Sequence, residues 1–449
     1  MTFLADTGDR SGTPPAARLS TLLEDLLRTL ADSGYDLGRV LAVPPDIHRL
    51  QSGSGEVLSA LFRILGDRLT EVIPAVGTHA PMTEGEIRRM YPGVPERLFR
   101  THNYRTDVTT LGTIEASFIE EQSEGKLSFP WPAQISRRIA SGDHGLVLSI
   151  GQVVPHEVAG MANHAKNIFV GTGGAEAINR SHYLGAVYGM ERIMGVADNP
   201  VRRVLNRAAQ EFTGGLPIVY ILTVVGRDTG AHPTGGPPTD TVACPEETPH
   251  IVGLFAGDDQ ECFYQAAELS REHNVITLER PPTTVVVSLD PESYRSTWLG
   301  NKAIYRTRKA IADGGELFVY APGVREFGED PTIDRLIRDH GYCNTEQVLA
   351  AVSAGGEEDL AGNLGTAAHL IHGSTEGRFS VTYAPGHLKR AEIEGVGYHY
   401  ADPGELATRL RISELRDGWN YVAGREVYYV SQPGLGLWEV PDRRAHRPT

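Results

Sequence analysis

Residues 155–182 read PHEVAGMANHAKNIFVGTGGAEAINRSH and place His156, His164, Lys166 and His182 in one span rich in small residues. Imidazole titrates near neutrality, and a lysine amine forms covalent adducts once its pKa is lowered. A base, a primary amine and a metal ligand can therefore be drawn from this stretch. It follows the apolar run HGLVLSIGQVVP (144–155), so it opens at the end of a buried strand, where open α/β sheets collect their ligands. A glycine-rich turn with surface histidines is the ordinary alternative for such a segment taken alone.

Working outward, RVLAVPP (39–45), EVIPAVGTH (71–79) and LPIVYILTVV (216–225) also read as buried strands, rich in Val and Ile and ended by Gly or Pro. Between them, residues 19–34, 55–69 and 83–91 carry apolar residues at helical spacing, and Thr83 with Glu86 has the form of a capping box. Strands alternating with helices predict an α/β fold with mostly parallel sheets. A new strand in VITLERPPTTVVVSLDPE (275–292), a helix over 296–315 and a strand over 316–322 predict a second unit. The expected organisation is two α/β domains, residues 1–278 and 279–449, with the active site in the cleft between them. The C-terminal segments GNLGTAAHLIHGS and GRFSVTYAP read as further helix and strand, and the late run EVYYVSQPG is assignable to either domain.

Composition bounds the function. The 449 residues allow two or three domains, 40% hydrophobic and 22% charged residues are ordinary for a globular chain, and no apolar run is long enough for a membrane span. The start, MTFLADTGDRSGTPPAARLS, lacks a secretory pattern and reads as a disordered lead-in, predicting a cytoplasmic protein. Residues 226–250 read as a Gly, Pro and Thr loop. Cys244, Cys262 and Cys343 form no CxxC pair, which argues against a disulfide framework or a thiolate zinc site. A net charge of −15 disfavours nucleic acid and leaves small molecules as the expected partners.

Three polar turns follow three predicted strands: PPDIHRLQSGSG (44–55) with Asp46, His48 and Arg49, the GTH turn ending in His79, and the 155–182 stretch. Arg49 suits a carboxylate or phosphate, because its guanidinium donates two parallel hydrogen bonds. The run Gly171, Thr172, Gly173, Gly174 could cradle a phosphate with backbone amides, and is equally an ordinary turn. No GxGxxG fingerprint follows a strand, which argues against a nicotinamide-dependent dehydrogenase.

As a set, the DxxR turn (Asp46, Arg49), the GTH turn (Gly77, Thr78, His79), the PH-x9-K segment (Pro155, His156, Lys166) and His182 resemble the nickel-pincer-nucleotide lactate racemases and their homologues. The phrases WLGNKAIYRTRKAIADGGELFVYAPG and DRLIRDHGY resemble the C-terminal domain of the homologues more than that of the founding lactate enzyme. The resemblance implies an isomerase that inverts the hydroxyl-bearing carbon of a 2-hydroxy acid by reversible hydride transfer. The cofactors it implies are nickel and pyridinium-3,5-bisthiocarboxylic acid mononucleotide, tethered through a thioamide to Lys166, with His182 as the fourth nickel ligand, in the planar geometry that Ni(II) favours. His79 and His156 would be the two bases, one for each enantiomer; Arg49 and Lys302 would hold the substrate; Asp46, Gly171, Gly173 and Gly174 would lie at the cofactor. In place of the family's SGGxK the chain has Asn163, His164, Ala165 and Lys166, and Leu299 stands where a substrate-contacting Gln is expected. That substitution, with polar His48, Gln51 and Ser52 beside Arg49, predicts a substrate larger than lactate, such as a gluconate-like sugar acid. Lactate or malate racemisation, and a non-catalytic sugar-acid or cofactor carrier, are the alternatives.

Overall fold

The computed structural model describes residues 1–8, 13–226 and 249–441. Two six-stranded sheets organise them. The first contains β1 (Thr2–Asp6), β2 (Val40–Val43), β3 (Leu69–Val72), β4 (Leu146–Gln152), β5 (Ile218–Gly226) and β6 (His250–Gly257), in the order β1-β6-β5-β4-β2-β3. The β3-β2-β4-β5 part is parallel, and β6 and β1 close that edge antiparallel.

Alternate residues of β2 and β4 feed opposite cores. Leu41, Val43 and Val147 pack on one face, and Val40, Ala42, Leu146, Leu148 and Ile150 on the other. Burial on both faces is why these strands read as continuous apolar runs. The helices Leu19–Asp32 and Ser54–Leu65 cover one face, and Ala175–Tyr188, Pro200–Phe212 and Glu261–Asn274 the other. The capping box at Thr83 is present, ahead of the helix Glu84–Met90.

The second sheet contains β7 (Thr284–Ser288), β8 (Glu316–Ala321), β9 (Ser380–Pro385), β10 (His399–Tyr400), β11 (Gly418–Val422) and β12 (Arg425–Val430), in the order β10-β9-β8-β7-β12-β11. All neighbours are parallel except β11 and β12. The late run EVYYV is thus inside this sheet, as β12 beside β7. Val275–Thr277 and Leu437–Glu439 form a separate parallel pair. One core joins the units: Tyr183, Val187 and Met190 pack in the same cluster as Val285, Val319 and Ala368. Across this junction Glu191 bonds Arg308 at 3.0 Å and Arg378 at 2.8 Å.

Several expectations are corrected. The predicted lead-in holds strand β1, paired with Leu254–Gly257, and its terminal amine bonds the Asp258 carboxylate. The regular strand expected over 71–79 ends at Val72, although the Ile73 and Ala75 N–H groups still donate to Ala42 O at 2.9 Å and Pro44 O at 2.7 Å beyond it. The helix expected over 296–315 is two short ones, Thr297–Gly300 and Lys302–Thr307. Gly300 there packs so closely on Tyr383 that a Cβ would lie 2.3 Å from the phenol oxygen, and Asn301 turns inward to donate to Tyr398 at 3.1 Å. Of the Gly, Pro and Thr loop, residues 227–248, with Cys244, lie outside the described residues. Among the described residues no helix is long and apolar enough to cross a membrane.

Candidate active site

The C-terminal ends of β2, β3 and β4 face one cavity. After β2, Asp46 begins a short helical turn, accepting from the His48 N–H at 3.1 Å through Oδ1. Its Oδ2 accepts from His79 Nδ1 at 2.6 Å and lies 3.3 Å from His48 Nδ1. The His48 and His79 rings are 4.5 Å apart, and these three side chains could together offer ligand atoms to a cation. Burial opposes ionisation of Asp46, but the adjacent imidazoles outweigh it and hold the carboxyl far below its usual range. His79 is placed by the turn after β3, where the Gly77 N–H donates to Gly171 O at 2.8 Å and the His79 N–H to Val76 O at 3.0 Å.

After β4 the chain makes a small hairpin, Pro155–His156 with Gly160–Met161. His156 is buried, and its Nδ1 accepts from the N–H groups of Val158 at 3.1 Å and Ala159 at 3.3 Å. Burial pushes its pKa well below the ordinary value. Glu157 Oε2 stands 3.9 Å from that nitrogen and has no hydrogen-bond partner among the described residues. Burial of Glu157 is outweighed by His156 and Arg306, which keep its carboxyl well below the usual range.

Two consecutive non-glycine residues then adopt the left-handed conformation, Asn163 at φ 69° and His164 at φ 58°. The turn is pinned by fully buried Arg202, which donates to Asn163 O at 3.1 Å and Met161 O at 2.6 Å. The His164 ring lies 3.8 Å from Tyr220, and its Nε2 bonds Asp259 O at 2.9 Å. His164 therefore points away from the cavity, while Lys166 enters it. Burial, with Arg49 nearby, lowers the Lys166 amine to about 8. Asn167 ties the strand ends beneath, donating to Val43 O and Ser149 Oγ, both at 3.0 Å.

His182, on the helix Ala175–Tyr188, donates from Nδ1 to Ile178 O at 2.7 Å, so Nε2 keeps its lone pair. Burial lowers its pKa to about 4. The facing wall comes from the second unit: Trp298, Leu299, Lys302 and Tyr305, with His369 and His372 from the helix Leu364–Gly373. Burial lowers Lys302 to about 8. A hydrogen-bond chain fixes the His369 tautomer. Thr297 donates to Phe327 O at 3.0 Å and so accepts from Tyr342 at 2.7 Å. Tyr342 in turn accepts from His369 Nε2–H at 2.9 Å, and Tyr305 donates to His369 Nδ1 at 2.8 Å. Trp298 stacks on the same ring at 4.4 Å.

Asp46, Arg49, His79, His156, Lys166, Gly171, His182 and Lys302 line this one cavity. Gly173 and Gly174 do not. Their small size serves packing, since a Cβ would lie 1.8 Å from Phe169 O and 2.3 Å from Gln134 Oε1 respectively. Of the polar residues expected beside Arg49, His48 lines the cavity, whereas Gln51 is exposed and buried Ser52 receives the Ser54 N–H at 3.2 Å. Gln152, Glu157, Trp298, Tyr305, His369 and His372 were missed. The spacing of His369 and His372, three apart on one helical face, was the signal available.

Residues 23–193 match the family model of the lactate racemase N-terminal domain. Over these residues the chain is similar to lactate racemase N-terminal domains. No curated protein matches the chain. Among solved structures, a Thermotoga maritima protein is 22% identical with a TM-score of 0.75, the match covering 94% of this chain and 98% of that one. The lactate racemase apoprotein from Thermoanaerobacterium thermosaccharolyticum is 16% identical with a TM-score of 0.62, covering 90% of this chain and 88% of that one. Both likenesses show a shared fold. The segment that matches the family model supplies His79, His156, Lys166 and His182, and the second unit supplies the opposite wall of the cavity.

Proposed function

We propose that the protein is a 2-hydroxy-acid racemase or epimerase that uses a nickel-pincer nucleotide. The observation that carries this reading is one cavity lined by a buried amine, Lys166, a neutral imidazole with a free Nε2, His182, and two further imidazoles, His79 and His156.

The residues fit such a group. Nickel binds neutral imidazole, and His182 is held neutral with its other nitrogen occupied by a carbonyl. A lysine lowered to about 8 offers its free amine to acylation far more readily than an ordinary one. Buried Gln152 Nε2 and His372 Nε2 on the lining have no hydrogen-bond partner among the described residues, which favours a polar occupant. Lys166 would hold the nucleotide and His182 would ligate the metal. When bound, the group supplies an acceptor for the hydride of the substrate's C2.

The remaining steps belong to the chain. Arg49 and Lys302, two cations on the cavity, bind the substrate carboxylate. His79, oriented by Asp46 through Nδ1, takes the hydroxyl proton at Nε2. Trp298 and His369, stacked at 4.4 Å, form an aromatic wall of the cavity on the side of the second unit. The substrate is a hydroxylated acid larger than lactate: Leu299 lines the cavity where a Gln would contact lactate, and His48, Glu157 and His372 add polar groups that lactate leaves unpaired.

Intact-protein mass spectrometry with metal analysis, on protein made in a host that synthesises the cofactor, tests this. A nucleotide-sized adduct at Lys166 with nickel is expected, the nickel being lost in His182→Ala. Turnover is expected on C5 to C6 aldonates ahead of lactate and malate. Unmodified, nickel-free protein from a competent host would overturn the tether, and fast lactate racemisation without aldonate turnover would overturn the substrate.

A further inference from the structure

Glu157 sets a carboxylate into the cavity wall with one oxygen unpaired. It follows the first strand of the hairpin Pro155–His156 with Gly160–Met161, and it lines the cavity while only 17% of its side chain stays accessible. Its Oε2 has no hydrogen-bond partner among the described residues. Burial opposes ionisation, but His156, Arg306 and Lys302 outweigh it, so the group remains an anion. Arg306, one turn on from Lys302 in the helix Lys302–Thr307, balances that charge without bonding to it. Its guanidinium is fully buried, donates from Nη1 to Gly436 O at 3.3 Å, and leaves Nε and Nη2 without a partner among the described residues.

An ionised carboxylate only accepts hydrogen bonds, so an occupant that satisfies it must bring a hydrogen. A hydroxyl or an ammonium can do so. An ammonium would stand beside Arg306 and Lys302, like charges already acting on the same carboxylate. A second carboxylate has no hydrogen to give and brings a charge of the wrong sign. The cations that could welcome it are committed elsewhere: Arg49 and Lys302 take the carboxylate at C1, and Lys166 gives up its charge on acylation. An alkyl or aryl tail leaves Glu157 unpaired, at the cost of an unmade bond to a charged group. Hydroxyls also suit the rest of the lining. Gln152 Nε2 can only donate, His372 Nε2 is likewise without a partner among the described residues, and a hydroxyl both gives and receives.

We propose that Glu157 determines specificity: its carboxylate accepts a hydroxyl at the far end of the substrate chain and turns away a second carboxylate there, so the cavity takes polyhydroxy monocarboxylates and rejects the matching dicarboxylates. This rests on the proposed function above, and it adds which end group the tail must carry. Glu157 acts on no bond that breaks. The two proton transfers stay with His79 and His156, one for each enantiomer. At any chain length an aldonate and its aldarate differ only at the terminal carbon, hydroxymethyl in one and carboxylate in the other, which isolates the interaction.

Calorimetric titration of the full-length protein, purified from a host that synthesises the cofactor, reads this selection without turnover. The probes are aldonate and aldarate pairs of equal length, such as gluconate with glucarate and threonate with tartrate. In the best-bound pair the wild type should hold the aldonate about 10- to 100-fold more tightly, the range of a hydrogen bond to a charged group. Glu157→Gln, of nearly the same shape but uncharged, should weaken the aldonate about tenfold and tighten the aldarate, leaving a preference below about threefold. Glu157→Asp keeps the charge and draws it back, so it should weaken the aldonate while still excluding the aldarate, and it serves where the Gln variant does not fold. In turnover the same exchange should fall mainly on KM. Losses of equal depth for both acids, carried by kcat, are what a carboxylate that merely supports His156 or the fold would give, and they overturn the proposal. So do an aldarate bound by the wild type as tightly as its aldonate, a preference unchanged in Glu157→Gln, and binding of neither acid. A wild type that shows the preference, loses it in Glu157→Gln and turns over neither acid supports the selection and counts against the proposed reaction.

Discussion

Asn163 gives a direct measure of what the turn before Lys166 costs. Its φ of 69° lies in the left-handed region, and its Oδ1 accepts from the buried His164 N–H at 2.7 Å. Asn163→Ala and Asn163→Gly both remove that bond, at about 1 kcal/mol, and leave the N–H short of a partner. They differ in the backbone, where a Cβ in this conformation costs roughly 1–2 kcal/mol and glycine adopts it freely. Asn163 already carries that strain, so the Ala variant should lose about 1 kcal/mol with the bond, whereas the Gly variant sheds the strain and should come out about level with wild type. In an ordinary helix or strand glycine is the worse of the two by roughly 0.5–1 kcal/mol, so the inverted order is the diagnostic. Urea unfolding followed by circular dichroism and tryptophan fluorescence measures both. An Ala variant as stable as the Gly variant would refute a strained turn at the tether.

Replacing Lys166 in cofactor-free protein should stabilise it. Its amine falls to about 8 in the fold from 10.5, so below pH 8 both states are protonated and the fold carries the whole penalty of a buried ammonium. Between pH 8 and 10.5 the unfolded chain binds more protons and stability rises with pH, so Lys166→Met should be more stable than wild type at pH 7 and lose that advantage by about pH 10.5; denaturant melts at pH 7 and 10 check it, and a less stable variant at pH 7 counts against it. Acid should act in the opposite sense: His164, His369 and His372 are each pushed by burial from 6.5 to about 3. Their contribution is complete above pH 6.5 and is lost as pH falls towards 3, at about 1.4 kcal/mol per pH unit for each, so unfolding free energy should drop steeply between pH 6 and 4.5, and a flat profile would contradict their burial as neutral rings.

The parallel cores were legible because β2, β4 and β5 are buried on both faces and carry unbroken Val, Ile and Leu. β1 was not, being a five-residue edge strand with partly exposed side chains, which local pattern cannot tell from an extended terminus. The break at Gly300 and Asn301 was hidden for another reason: it is set by Tyr383 and Tyr398, both distant in sequence. At the site, the three turns at strand ends gave Asp46, His79, and His156 with Lys166, since strand polarity carries each to the same side. Asp46 was read as a cofactor contact, and the structure engages its carboxylate with His79 and His48. Glu157 sits next to His156 in sequence and passed unnoticed, because no spacing rule marks a carboxylate whose surroundings are assembled from both units.

The two walls of the cavity come from different stretches of chain, the tether side from residues 46–182 and the facing side from residues 298–372. Their histories are therefore separable. Substitutions at Trp298 or Leu299 can reshape what the cavity admits without disturbing the turn that aims Lys166, whereas the helix of His372 packs on the helix that carries His182 and is tied to it. A lineage can thus change its diet in one half of the gene while the other half stays under constraint, and a chimera that joins this tether half to a relative's facing half should inherit cofactor loading from the first parent and substrate preference from the second.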